Sequence, residues 1–90
     1  MVEEGQLLAV FNSGHRVMQA EDLLKQGGFQ ILLIPAPRRL QTDCGLAIRF
    51  DPEERERIMQ TLAEAELLPA FIAQSRSGEF TTVWGQNARQ

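Results

Sequence analysis

Residues 43–54 read Asp43-Cys44-Gly45-Leu46-Ala47-Ile48-Arg49-Phe50-Asp51-Pro52-Glu53-Glu54, and within them one structural period gives way to another. From Gly45 to Phe50 the pattern has period two. Leu46, Ile48 and Phe50 share one face, Ala47 and Arg49 the other. Alternate side chains of a strand point the same way, so the spacing predicts a strand with one face against helices and one partly open. Asp51 then opens a helix. Aspartate at the cap, proline at the first helical position and glutamate three after the cap make a capping box on an acidic first turn. Ile58, Met59, Leu62 and Ala65 continue as its apolar face. The two glutamates are thereby read as helix-start charges and not as a catalytic pair.

Upstream, Gln6–Phe11 is a compact apolar run and reads as a buried strand. Asn12 or Ser13 supplies a helix N-cap, because a short side-chain oxygen can accept an orphan amide of the first turn. Val17, Ala20, Leu23 and Leu24 then form one helical face, with Glu21 and Lys25 at ion-pair spacing. Gly27-Gly28 gives a left-handed stop. Phe29–Ile34 reads as a second strand, with 31–34 buried or nearly so. Pro35-Ala36-Pro37 ends it, since a proline has no amide for the ladder. Residues 38–44 form a polar loop. Downstream, Pro69–Ser75 reads as a fourth strand, Ser77-Gly78 as a turn and Phe80–Trp84 as a short extra strand.

The element order is β-α-β-β-α-β plus a tail. Right-handed crossovers and two such units predict an α+β, ferredoxin-like two-layer sandwich, its antiparallel sheet carrying both helices on one face. Ninety residues bound the chain to a single domain, 1–90, with its core at about 6–75 and a tail or extra strand at 76–90. A hydrophobic share of 43%, 23% charged residues and a net charge of −3 describe an ordinary globular domain and argue against a nucleic-acid binder, whose footprint is basic. The acidic start lacks a secretory pattern, and no apolar run approaches a membrane span, so a cytoplasmic protein without membrane partners is expected.

The chain holds one cysteine and one histidine. An internal disulfide and a zinc cage are therefore excluded, and no metal or cofactor is expected. In the expected sheet the third strand lies between the first two, antiparallel to both. Cys44 at its mouth then lies beside residues 12–15, where the first helix begins. Helix amides, Arg38 and Arg39 of the feeding loop, and His15 would all favour a thiolate there. Gly45 removes a side chain and lets a ligand approach. A small buried hydrophobe at a strand start accounts for Cys44 equally well. The other groups have plain readings too. Arg38 and Arg39 serve as solvated loop charges, His15 as a first-turn polar residue, and Arg49 as a cross-strand partner of a carboxylate. Trp84 is either packed on its own domain or a partner site. Ser13 lacks the partners of a hydrolase nucleophile, and residues 12–14 are too short for a phosphate loop.

The runs Phe11-Asn12-Ser13-Gly14-His15, Ala20-Glu21-Asp22-Leu23-Leu24, Ile34-Pro35-Ala36-Pro37-Arg38 and Asp43-Cys44-Gly45-Leu46-Ala47-Ile48-Arg49-Phe50 resemble the selenium/sulfur (Se/S) carrier-like family of small bacterial proteins. The resemblance covers roughly residues 7–75 and rests most on the P-x-P-R segment and the C-G-L-A-I-R-F strand a short loop apart. It implies that Cys44 holds sulfur or selenium as a persulfide or selenenyl-sulfide, framed by Pro35, Pro37, Arg38 and Gly45. It also implies donor and acceptor proteins as partners. Having no second thiol to resolve an adduct favours a carrier over a stand-alone enzyme. A competing reading is a ferredoxin-like metabolite-binding regulatory module, dimeric through the sheet edge or the C-terminal segment. An RNA-binding domain of the same topology ranks last, because the central strands carry only Phe11 and Phe50 as aromatics, apolar neighbours surround both, and the net charge is negative.

Overall fold

The computed structural model describes residues 2–86. Two helices and five strands follow in the order β1 (Leu7–Val10), α1 (Gly14–Gln26), β2 (Leu32–Pro35), β3 (Leu46–Phe50), α2 (Arg55–Glu64), β4 (Phe71–Arg76) and β5 (Glu79–Gly85), with a 3₁₀ turn at Pro52–Glu54 leading into α2. The strands make one sheet in the order β2-β3-β1-β4-β5, every pair antiparallel. The fold is α+β. The added strand at the β4 edge sets this order apart from the simple four-stranded ferredoxin-like arrangement. Among the described residues no helix is long and apolar enough to cross a membrane.

The period-two reading of β3 sorts its side chains as expected. Ile48 and Phe50 join Leu7, Ala9 and Ile72 in a buried cluster to which both helices contribute, through Val17, Ala20 and Leu24 from α1 and Ile58 and Leu62 from α2. Ala47 faces the other way. It forms a second cluster with Leu8, Val10 and Ile34, walled by Val2, Ala36, Leu40, Phe71 and Phe80. All four residues of β1 are thus buried, because the sheet is covered on both faces: by helices on one, by the N-terminal segment and a loop on the other.

Helix α1 has the caps its sequence predicts. Ser13 is extended, and its Oγ accepts the Arg16 amide at 3.1 Å. At the other end the Phe29 amide donates to Leu24 O and the Gly28 amide to Lys25 O, each at 3.1 Å. These are the paired bonds of a Schellman stop, and Gly28 at φ +83° takes its left-handed position. Glu21 and Lys25 pair at 3.1 Å.

Four expectations need correction. The capping box at Asp51 does not form: its carboxylate makes no cap bond. Instead Asp51 Oδ1 accepts from Gln6 Nε2 at 3.0 Å, and the chain enters α2 through a 3₁₀ turn closed by the Glu54 amide on Asp51 O. Ala65 is not part of the apolar face of α2; the helix ends at Glu64, and Ala65 is its exposed cap residue. Strand β2 is shorter and later than the apolar run, and it includes Pro35. Only Ile34 of residues 31–34 is buried, and Leu32 keeps 44% of its surface. Both departures have one cause: β2 is an edge strand, where one face meets solvent and a proline costs no ladder bond.

The extra strand is longer than expected, seven residues, and joins β4 through a turn with Ser77 and Gly78 both at positive φ. A register shift opposite Ile72 and Ala73 leaves Val83 unpaired, so both Val83 and Trp84 pack on the helix-side core. Residues 87–90 of the expected tail lie outside the described residues.

The two glycines Gly28 and Gly14 make a test of this backbone. A Cβ at either would touch nothing within 4 Å, but only Gly28 has positive φ. Gly28→Ala is expected to cost about 1 kcal/mol and Gly14→Ala to be neutral or stabilising by ~0.5 kcal/mol, read as shifts of the urea midpoint.

Candidate functional site

The β1–β3 ladder pairs Val10 with Ala47, so the residues leaving β1 meet those entering β3. Cys44 stands at that junction, half-buried against the helix-side core. Its Sγ lies 3.3 Å from Leu46 O and 3.6 Å from Phe11 O. The thiol hydrogen is shared between two main-chain carbonyls. These are bonds of the protonated form, since a thiolate has nothing to donate. Cys44 thus meets two carbonyl acceptors and packs on the apolar core.

Gly45 fixes how the chain turns from this loop into β3. Its φ is +74°, a conformation glycine adopts without strain. Its amide donates to Thr42 Oγ1 at 2.7 Å, and its carbonyl accepts from the Ala36 amide at 2.9 Å. A Cβ there would meet nothing within 4 Å beyond its chain neighbours, so the space at Gly45 itself is open. Thr42 did not stand out in the sequence. Its signal is a threonine three residues before a glycine, where a short hydroxyl can close a local turn.

The remaining candidates divide between the two sides of the sheet. Ser13 is spent on the first turn of α1, and Ser13 O accepts the Val17 amide at 3.1 Å. His15 is exposed on the same turn. Neighbouring Arg16, which sequence reasoning passed over, donates from Nη2 to Glu66 O at 2.9 Å and ties the start of α1 to the end of α2. Arg38 and Arg39 belong to the helix-free side. Arg39 Nη1 donates to Gly78 O at 2.8 Å, clasping the loop to the β4–β5 turn. Arg38 is exposed and, among the described residues, makes no hydrogen bond or ion pair. It lines a groove of about 420 Å³ with Val2, Pro35, Ala36, Pro37 and Phe80. Pro37 O accepts the Leu40 amide at 3.0 Å, which turns the loop back across the sheet.

The loop between β2 and β3 is thus shared by both cores. Leu40 and Ala36 pack on the helix-free cluster, Cys44 on the helix-side one. The thiol is therefore half-buried at the end of this loop, next to a glycine that carries no side chain.

A second groove, of about 470 Å³, lies at the far end of β3 and involves Lys25, Gln30, Arg49 and Asp51. It does not include any of the candidate residues.

One family model, described as "Putative Se/S carrier protein-like", matches residues 6–74. The match runs from the residue before β1 into β4, takes in the whole Cys44 loop and leaves β5 outside. No curated protein and no solved structure matches the chain.

The Thr42 hydroxyl gives this loop a direct test. Thr42→Val keeps the shape but removes the acceptor of the Gly45 amide, and hydrogen exchange at that amide should accelerate about fivefold, the equivalent of ~1 kcal/mol. Unchanged exchange would mean the bond does not hold the turn.

Proposed function

The chain belongs to the Se/S carrier-like family, and from that premise we propose that Cys44 is a carrying thiol that takes up sulfur or selenium from a donor protein and passes it to an acceptor. The observation that carries this reading is the seat of the chain's one cysteine. It is half-buried, held by two carbonyl bonds and followed by a glycine whose Cβ position is open. We also read β1 to β4 with the two helices as a ferredoxin-like unit extended by β5. The position of β3 between β1 and β2 supports that reading.

Loading is an exchange on sulfane sulfur. The Cys44 thiol loses its proton to solvent or to the departing thiolate. Sγ attacks the outer sulfur of a donor persulfide R–S–SH, forming Cys44–S–SH and releasing R–S⁻. Delivery reverses the roles: an acceptor thiolate attacks the outer sulfur, and Cys44 leaves as thiolate. The sulfane sulfur keeps its oxidation state throughout, so no external oxidant enters. Selenium moves identically when the donor presents it as R–S–SeH. An acceptor thiolate from outside is needed because the chain has no second cysteine.

The seat gives each step a physical task. Carbonyls at 3.3 and 3.6 Å hold the thiol facing inward. Turning Sγ outward exchanges those bonds for solvent and exposes it on the Gly45 side. Half-burial then shields a loaded persulfide from stray thiols. Ser13, as the cap of α1, holds the adjoining helix start in place.

Treatment of the reduced protein with a small-molecule persulfide donor should add about 32 Da by intact mass, and a thiol wash should remove it. Cys44→Ser should gain nothing. An unmodified wild type, or the same gain in the serine variant, would remove Cys44 from this role.

A further inference from the structure

The 420 Å³ groove on the helix-free side is separate from the thiol seat and differs from it in chemistry. Its walls are Val2, Pro35, Ala36, Pro37 and the Phe80 ring, all apolar, and among the described residues the one charged side chain on its lining is that of Arg38. The two adjacent arginines are in opposite states. Arg39 is committed to Gly78 O at 2.8 Å, whereas Arg38 is exposed and, among the described residues, carries an unpaired guanidinium at the rim of an apolar slot. A guanidinium offers a planar fork of donors that fits a carboxylate, and an apolar slot beside it fits one aliphatic side chain.

We infer that this groove docks the C-terminal end of a partner protein, with an aliphatic last side chain in the apolar slot and the terminal carboxylate on Arg38. The charge complementarity rests on Arg38, and the apolar part on Phe80, Val2 and the two prolines. Main-chain pairing is the weaker alternative at this point, because Pro35, which ends β2, has no amide to offer an incoming strand. The groove is also coupled in space to the thiol loop: the Ala36 amide bonds to Gly45 O at 2.9 Å, one residue from Cys44. A partner seated there would lie against the segment that carries the thiol but on the opposite side of the sheet. That this partner is a cargo donor or acceptor rests on the carrier reading above. The groove's ligand chemistry does not.

The test uses N-acetyl-leucine, the smallest molecule with both features, titrated into the whole chain and followed by amide chemical shifts. Shifts are expected at Val2, Ala36, Arg38 and Phe80. Arg38→Gln should weaken binding about fivefold, and N-acetyl-leucinamide should show the same loss against the wild type, the ~1 kcal/mol scale of an exposed charge pair. Arg38 is exposed, so the variant is expected to fold, and its amide spectrum verifies this. Equal binding of acid and amide, shifts centred on Lys25 and Asp51 of the other groove, or shifts that follow protein self-association would each overturn the proposal. Cys44→Ser should bind N-acetyl-leucine unchanged. A chain that binds it but fails to load sulfur therefore counts against the carrier reading alone, and one that loads sulfur but does not bind counts against the groove alone.

Discussion

The antiparallel ladder between β1 and β3 is the constraint from which the rest follows. Val10 opposite Ala47 sets the level at which the chain leaving β1 meets the chain entering β3. That meeting puts Phe11 O within reach of Cys44 Sγ and places the start of α1 beside the same loop. A slip of one residue would turn Ile48 and Phe50 outward and carry Cys44 to the other face of the sheet. Two buried clusters oppose that slip at once, since β3 contributes Ile48 and Phe50 to one and Ala47 to the other.

Loop 36–45 is where those clusters communicate. It leaves the edge strand at Pro35, folds Leu40 onto the helix-free side, is clasped by Arg39 to Gly78 and returns through Thr42 and Gly45 to the thiol. No regular structure holds it. Its order comes from a few side-chain-to-backbone bonds, each worth on the order of 1 kcal/mol. Such a loop can let Sγ rotate without disturbing the ladder.

Much of this was legible in the sequence, for reasons that differ from residue to residue. Period two in 45–50 and the spacing of Val17, Ala20 and Leu24 report burial directly, and Ser13 and Gly28 report backbone needs that few residues meet. Element order was enough to bring Cys44 to the end of β1. What the sequence hid was competition for side chains. Asp51 has the form of a helix cap, yet Gln6, 45 residues away, takes its carboxylate. Arg38 and Arg39 read as a pair feeding Cys44, but they serve the other side of the sheet, because Gly78 and Phe80 of the added strand's hairpin stand there. The apolar run 31–34 gave no sign that it lies at an edge, where only Ile34 is fully buried. Each miss is a long-range contact that local pattern does not encode.

The central claim is that the Cys44 thiol can be reached while the domain stays folded. Alkylation by iodoacetamide across low urea concentrations tests it most directly. A rate proportional to reagent and flat in urea until the unfolding transition is the predicted result, because it requires only rotation of Sγ from two carbonyls. A rate that rises with urea from the start, in step with the population of unfolded chain, would show that the thiol is reached only by unfolding and would make Cys44 an inert part of the core.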